Sequence, residues 1–258
     1  MAEEEVVLDA VELTKVFGGL TAVSSFDLRV RRGEISSLIG PNGAGKTTVF
    51  NVVTGIYRPE RGRVLFEGED ITGRKPHRIV ERGIARTFQN IRLFPNLTCQ
   101  ENVMAGQHCR SGSGLAAALF RPKSQREEER RIRETAEARL KQVGLWDFRG
   151  ELARNIAYGS QRMLEIARAL ASVPRLLVLD EPSSGLNPKE TEDLMQFIRR
   201  IIAEERLTVL LIEHDMKVVM GISDWVTVMD GGKKIAEGPP QQIYQDPRVI
   251  EAYLGRRK

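Results

Sequence analysis

A chain of 258 residues, 41% hydrophobic and 29% charged, is long and apolar enough for one large globular domain or two modest ones. Its net charge of +4 is scattered among acidic neighbours, so no basic stripe points to a nucleic-acid partner. No apolar run approaches the ~20 residues that span a bilayer. The two cysteines, Cys99 and Cys109, stand at no metal-ligand spacing and read as reduced thiols.

The acidic opening, Met1 to Glu5, lacks the apolar core of a signal peptide. That predicts a chain that stays in the cytosol unless a partner holds it at a membrane. Residues 5–13 read as a strand, Lys15 to Gly19 as a turn carrying the ring of Phe17, and residues 22–30 as a half-exposed strand. After the turn Arg31-Arg32-Gly33, the run 35–39 predicts a buried strand. Gly40-Pro41-Asn42-Gly43-Ala44-Gly45-Lys46-Thr47 then fits the pattern G-x-x-x-x-G-K-[ST] without a mismatch. Residues 47–53, beginning Thr47-Thr48, read as a helix closed by Gly55.

Strand, glycine loop and helix are the setting a phosphate cradle needs. Glycines let backbone N–H groups turn inward, and the helix N-terminus adds partial positive charge. In such a loop Lys46 is expected to reach the β- and γ-phosphates, and the Thr47 hydroxyl to bind Mg²⁺.

Residues 58–62 read as a turn, 63–68 as a strand, Pro76 to Gly83 as a helix, and 84–88 as a strand followed at once by Gln89. From about residue 90 to 155 the pattern turns helical. Thr98-x-x-Glu101 and Ser124-x-x-Glu127 are capping boxes, with a flexible break at Ser111 to Gly114 between them. Ile132, Ala136 and Leu140 form one apolar stripe on a charged helix that Gly144 stops. This stretch looks like an all-helical subdomain inserted into an α/β core. Beyond it, a helix over 160–171 and a buried strand over 175–180 are predicted. A helix over 189–205 and a strand over 207–213 follow. A short helix from Met216, strands over 225–229 and 233–236 around the turn Asp230-Gly231-Gly232, and short helices after Pro239 and Pro247 complete the chain.

Two further features carry chemistry. The apolar run ending at Asp180 and Glu181 puts two carboxylates at the C-terminal end of a strand, the edge where open α/β sheets bind ligands. Asp180 suits Mg²⁺, and Glu181 suits a general base that polarises the attacking water. His214, also at a strand end, could offer a ring N–H to the γ-phosphate. His77 and His108 have no such context and read as surface residues.

Phosphate loop, Gln89, the helix start Ile156-Ala157-Tyr158-Gly159-Ser160, Asp180-Glu181 and His214 occur in the order of the ATP-binding subunits of ABC transporters. The resemblance covers essentially the whole chain. It implies an α/β fold: a RecA-like P-loop core with N-terminal antiparallel strands and a C-terminal extension over 1–92 and 155–258, and an inserted α-helical subdomain over 93–154. It implies ATP bound with Mg²⁺ through Gly40 to Thr48, adenine stacked on Phe17, and Mg²⁺ met by Thr47, Gln89 and Asp180. Gln89, Glu181 and His214 become the catalytic set, and Ser184 to Asn187 the loop named for its usual aspartate. Subunits of this family pair head to tail, so Ile156, Ala157, Tyr158, Gly159 and Ser160 would serve a partner's nucleotide. Ala157, Tyr158 and Ser160 depart from the common L-S-G-G-Q form, and Asn187 replaces the aspartate.

These departures, with Arg86-Thr87-Phe88-Gln89, Ile212-Glu213-His214-Asp215-Met216 and the ending Ala252-Tyr253-Leu254-Gly255, resemble one branch. That branch energises uptake of branched-chain amino acids; importers of urea and amides are close to it. The resemblance implies a peripheral subunit on the cytoplasmic face of the cell membrane. Its partners would be permease subunits, a second ATPase (in this branch commonly a different chain) and, indirectly, a substrate-binding protein. Ile91, Leu93, Phe94 and Leu97 are apolar for a loop and are expected to receive a helix of the permease, the alternative being that they pack inward. A soluble cassette acting on ribosomes or DNA would carry two cassettes or a long coiled-coil insertion. A phosphate-loop kinase would lack His214 and the segment 156–160. A cassette that binds ATP for structure alone would not keep Lys46, Asp180, Glu181 and His214 together.

Overall fold

The computed structural model of the chain describes residues 5–107 and 123–254, without the side chains of 123–126 and 254. Cys109, His108, the break at Ser111 to Gly114, the side chain of Ser124 and Gly255 lie outside the described residues.

Strands β3 (Ile35–Ile39), β7 (Leu176–Asp180) and β8 (Thr208–Ile212) are buried at every position. Such runs suit a parallel sheet covered on both faces. They form its centre, in the order β10-β9-β3-β8-β7-β6, with β6 at Ile84–Arg86, β9 at Trp225–Asp230 and β10 at Lys233–Gly238. All neighbours are parallel except the β9–β10 hairpin at the edge. Because side chains alternate along a strand, β7 and β8 feed two cores. Leu177, Leu179, Val209 and Leu211 face one apolar cluster; Leu176, Val178, Leu210 and Ile212 face the other.

The second of these clusters is roofed by α1 (Lys46–Val53) and by a four-stranded antiparallel sheet, β2-β1-β4-β5. Its strands are β1 (Val6–Phe17), β2 (Leu20–Arg31), β4 (Arg61–Phe66) and β5 (Glu69–Asp70). The expected turn over Lys15 to Gly19 is shorter than its residues suggest. β1 runs on through Phe17, and only Gly18-Gly19 turn, both at positive φ. β4 begins earlier than expected and stops at Phe66, where Glu67 and Gly68 take left-handed backbone. The two-residue β5 has no pattern to announce it. Beyond β4 and β5, α2 (Pro76–Glu81) starts at a proline as anticipated.

The first cluster is covered by α3 (Cys99–Ala105), α4 (Lys123–Gln142), α5 (Tyr158–Ala171) and α6 (Pro188–Glu205). Thr98 and Glu101 form the expected capping box: the Glu101 N–H donates to Thr98 Oγ1 at 3.2 Å and the Thr98 N–H to Glu101 Oε2 at 2.8 Å. Ala136 and Leu140 of α4 are fully buried in the cluster that holds Leu177 and Leu179, so these helices share a core with the central sheet. The stretch between β6 and α5 is not helical throughout. Residues 87–97 follow an irregular path, and Thr98 makes a bridge to Leu152. Of its apolar loop residues, Leu93 packs against the core, whereas Phe94 is 51% exposed. A third cluster joins Ile39, Val219, Val226 and Val228 to Ile243 and Val249 of α8 (Pro240–Gln245) and α9 (Pro247–Leu254). Val219 lies on α7 (Met216–Ile222).

Candidate active site

The parallel strands end on one edge, and the chemistry gathers there. β3 leads into the loop Gly40 to Gly45. Gly40 and Gly45 have φ of 152° and 107°, and a side chain on either would overlap a backbone carbonyl oxygen, that of Met229 or Ala22. Glycine is required at both by conformation and by space. Gly45 caps α1 without a side-chain bond, and no acidic residue stands in the first turn. The helix therefore presents free N–H groups, the usual cradle for an anion. Lys46 Nζ lies over the loop and donates to the Gly40 and Pro41 carbonyls at 2.7 and 2.9 Å. Burial pushes its amine down from the ordinary lysine value, against the pull of Glu181 and Asp180. Asn42 to Thr48 line a cleft of about 430 Å³ with Ala22, Gln89 and Glu181.

Asp180 closes β7 and is 4% exposed. Its Oδ2 accepts a bond from Arg86 Nη2 at 2.7 Å. The same guanidinium donates to Asn51 Oδ1 and Thr54 Oγ1 at 2.7 and 2.9 Å and lies 5.0 Å from the ring centre of Phe88. Arg86 thus ties β6, β7 and the phosphate-loop helix to one carboxylate. The sequence marks it only as part of the run Arg86 to Gln89.

The next residue, Glu181, takes left-handed backbone with φ 46°, uncommon for a residue with a side chain. Its Oε2 accepts from Gln89 Nε2 at 2.9 Å, and His214 Nδ1 lies 3.5 Å from the same oxygen. The structure thus brings together Gln89, Glu181 and His214, which are far apart in the chain. Glu213, fully buried beside His214, supports the site and is not singled out by the sequence. It accepts the N–H groups of Ser183 and His214, each at 3.1 Å, and the Ser183 hydroxyl. One carboxylate thereby fixes both the start of the Ser184 to Asn187 loop and the backbone of His214. A carboxylate after an apolar strand is its only signal.

Among the described residues, none of Ile156 to Ser160 lines the cleft around the phosphate loop. Ala157 caps α5 without a side-chain bond, and Gln161 Nε2 donates back to the Ile156 carbonyl at 3.0 Å. Tyr158, 44% exposed, lies against Gly185 and donates to the Ser184 carbonyl at 3.3 Å. Phe17 is 39% exposed and meets Tyr57 edge to face at 5.1 Å, outside the lining of the cleft. Asn187 does a job that the usual aspartate would also do. It caps α6, accepting from the Lys189 and Glu190 N–H groups at 2.9 and 3.0 Å, while Glu190 accepts from the Asn187 N–H at 2.9 Å. Asn187→Ala should lose about 1 kcal/mol and Asn187→Asp almost none, since the two caps are nearly equal; thermal unfolding of both variants measures the difference.

A glycine loop after the central strand, a carboxylate pair after its second neighbour and a histidine after the strand between define a nucleotide-binding cassette. The family described as "ABC transporter" matches residues 23–184, and that described as "Branched-chain amino acid ATP-binding cassette transporter" matches residues 233–258. The high-affinity branched-chain amino acid transport ATP-binding protein BraF of Pseudomonas aeruginosa is 48% identical over 249 residues, 96% of this chain and 98% of BraF. Its counterpart LivG of Escherichia coli is 46% identical over 239 residues, 93% of this chain and 94% of LivG. The crystal structure of the ADP conformation of MJ1267, an ATP-binding cassette of an ABC transporter, gives a TM-score of 0.84 at 33% identity, covering 97% of this chain and 99% of that one. The chain belongs to the ABC transporter family, as an ATP-binding subunit whose ATP hydrolysis is coupled to transport. Within the family its likeness is to the branched-chain amino acid transport ATP-binding proteins. No helix among the described residues is long and apolar enough to cross a membrane.

Proposed function

We propose that the chain drives a branched-chain amino acid importer from the cytoplasmic face of the cell membrane. The observation that carries the mechanism is the convergence of Gln89 and His214 on one oxygen of Glu181, beside the loop that bears Lys46. The free N–H groups of the loop and the start of α1 hold the phosphates, with Gly40 to Thr48 as the cradle. Lys46 exchanges the carbonyls of Gly40 and Pro41 for phosphate oxygens. Glu181 takes a proton from the attacking water, Gln89 orients that water, and the His214 ring faces the γ-phosphate. Phe17 offers its exposed ring to adenine.

Mg²⁺ is held by few protein oxygens together with water and phosphate. Thr47 and Gln89 line the cleft of the phosphate loop and carry oxygen donors, and Asp180 directly precedes Glu181, which lines the same cleft, so the chemistry of this set fits the ion. When bound, it would neutralise charge on the β- and γ-phosphates.

A second ATPase subunit, in this branch more commonly a different chain than a second copy, supplies the other half of each site. Ile156 to Ser160 of this chain serve that partner's nucleotide through the N–H groups at the start of α5. The helical subdomain over 93–154 and the exposed Phe94 face the permease, which works with a substrate-binding protein. Reconstitution with those subunits should give ATP turnover that rises when leucine, isoleucine or valine is offered on the binding protein. Turnover that ignores all three and rises with urea or an amide would transfer the chain to that related class of importer.

A further inference from the structure

Gln89 stands in residues 87–97, a stretch without helix or strand whose one backbone tie to the sheet among the described residues is the Thr87 N–H on the Val178 carbonyl of β7 at 3.0 Å. Beyond Thr87, the backbone groups next to Gln89 bond two side chains one turn apart on α5. Arg162 Nη1 donates to the Phe88 carbonyl at 2.7 Å, and Nη2 donates to the Gln89 carbonyl at 2.8 Å. Glu165 Oε1 accepts the Arg92 N–H at 3.1 Å and the Phe88 N–H at 3.4 Å. Arg162 and Glu165 pair with each other at 2.9 Å, at 0% and 1% exposure. Four backbone groups around Gln89 are thus held by one buried ion pair.

Stability alone does not call for this arrangement. An apolar pair of similar volume often serves as well or better, because two charges need not then be desolvated. Arg162 Nε is buried without a hydrogen-bond partner among the described residues, a further cost. The pair's placement explains what it adds. α5 begins within the segment Ile156 to Ser160, and Arg162 Nη2 lies 3.5 Å from the hydroxyl of Tyr158, which bonds Ser184 in turn.

We propose that Arg162 and Glu165 are positioning residues: they lock the backbone of Gln89 to α5, so the residue facing this chain's own nucleotide moves as one body with the segment offered to the partner's nucleotide. This rests on the function proposed above for its kinetic consequence, but not for its structural one. The pair touches no reacting atom. It sets where the Gln89 side chain meets Glu181.

The test compares the full chain with Arg162→Met/Glu165→Leu, an apolar pair chosen to keep the fold. In the free chain, amide hydrogen exchange at Phe88 and Arg92 should speed up by about tenfold or more while strand amides of β7 and β8 keep their protection. In the reconstituted complex, kcat should fall by about tenfold with ATP affinity within about twofold of wild type. Arg162→Lys, which keeps the charge but not the fork, should recover part of the lost kcat. Should the double variant fail to fold, Glu165→Gln replaces it. It keeps one acceptor and drops the charge, and faster Arg92 exchange with lowered kcat is again expected. Unchanged exchange at Phe88 and Arg92 overturns the clamp, and faster exchange with unchanged kcat overturns its role in positioning. A wild-type complex that hydrolyses no ATP would defeat the proposed function instead, and the exchange result would still decide the clamp.

Discussion

Glu181→Gln should lower steady ATP turnover by about 10²–10⁴-fold, the range lost with a positioned general base, and leave ATP binding in place. The exchange is close to isosteric. Gln89 Nε2, now 2.9 Å from Glu181 Oε2, still finds an acceptor in the amide oxygen. The unusual backbone at Glu181 is held from elsewhere, through its N–H to the Ile212 carbonyl at 3.0 Å, so the turn after β7 survives. What disappears is the ability to take a proton from water. The kcat of the assembled complex and the ATP affinity of the same preparation test this together. Turnover within about threefold of wild type would remove Glu181 from the role of base.

The second large effect falls on stability. Arg86→Met strips the cation from Asp180, which stays at 4% exposure, and breaking a buried pair from one side costs about 3–5 kcal/mol. Asn51 and Thr54 lose their donor as well, so the loss spreads to α1. For a chain of this size the melting temperature should drop by about 10 °C. Arg86→Met/Asp180→Asn removes the orphaned charge and should recover part of that drop, which no general weakening of β6 would predict. A single variant that melts within about 2 °C of wild type would mean that water or another group already satisfies Asp180.

The parts of this site that are legible in the sequence are those fixed by local spacing. The glycine loop is read from eight adjacent residues, and its demand for glycine at 40 and 45 is met again in the crowding against Met229 and Ala22. The ends of β7 and β8 are read from uninterrupted apolar runs, and that pattern alone places Asp180, Glu181 and His214 at one edge. The groups that hold these residues are not legible. Arg86 and Asp180 are joined across |i−j| = 94, and Ser183 and Glu213 across |i−j| = 30. An arginine near a strand end carries no sign of the carboxylate it will meet, since burial and pairing are decided by the packing of β6 on β7. The turn over Lys15 to Gly19 is misleading for a related reason: cross-strand pairing with β2 extends β1 through Phe17, although its irregular register leaves no clean alternation to read. Asn187 stands out as a departure from a familiar motif, yet its capping bonds show that part of that position's task is local and met equally by either residue.

The third apolar cluster bears on how a newly made chain matures. Ile39, the last residue before the phosphate loop, shares that cluster with Ile243 and Val249. Polypeptide leaves the ribosome from the N-terminus, so β3 emerges before α8 and α9. The strand under the loop is made early, but the apolar floor beneath it stays open until residues of α8 and α9 have emerged. A nascent chain stalled short of them would carry every residue of the phosphate cradle and still lack part of its support. The support beneath the phosphate loop is therefore completed only after residues about two hundred positions further along the chain have been made.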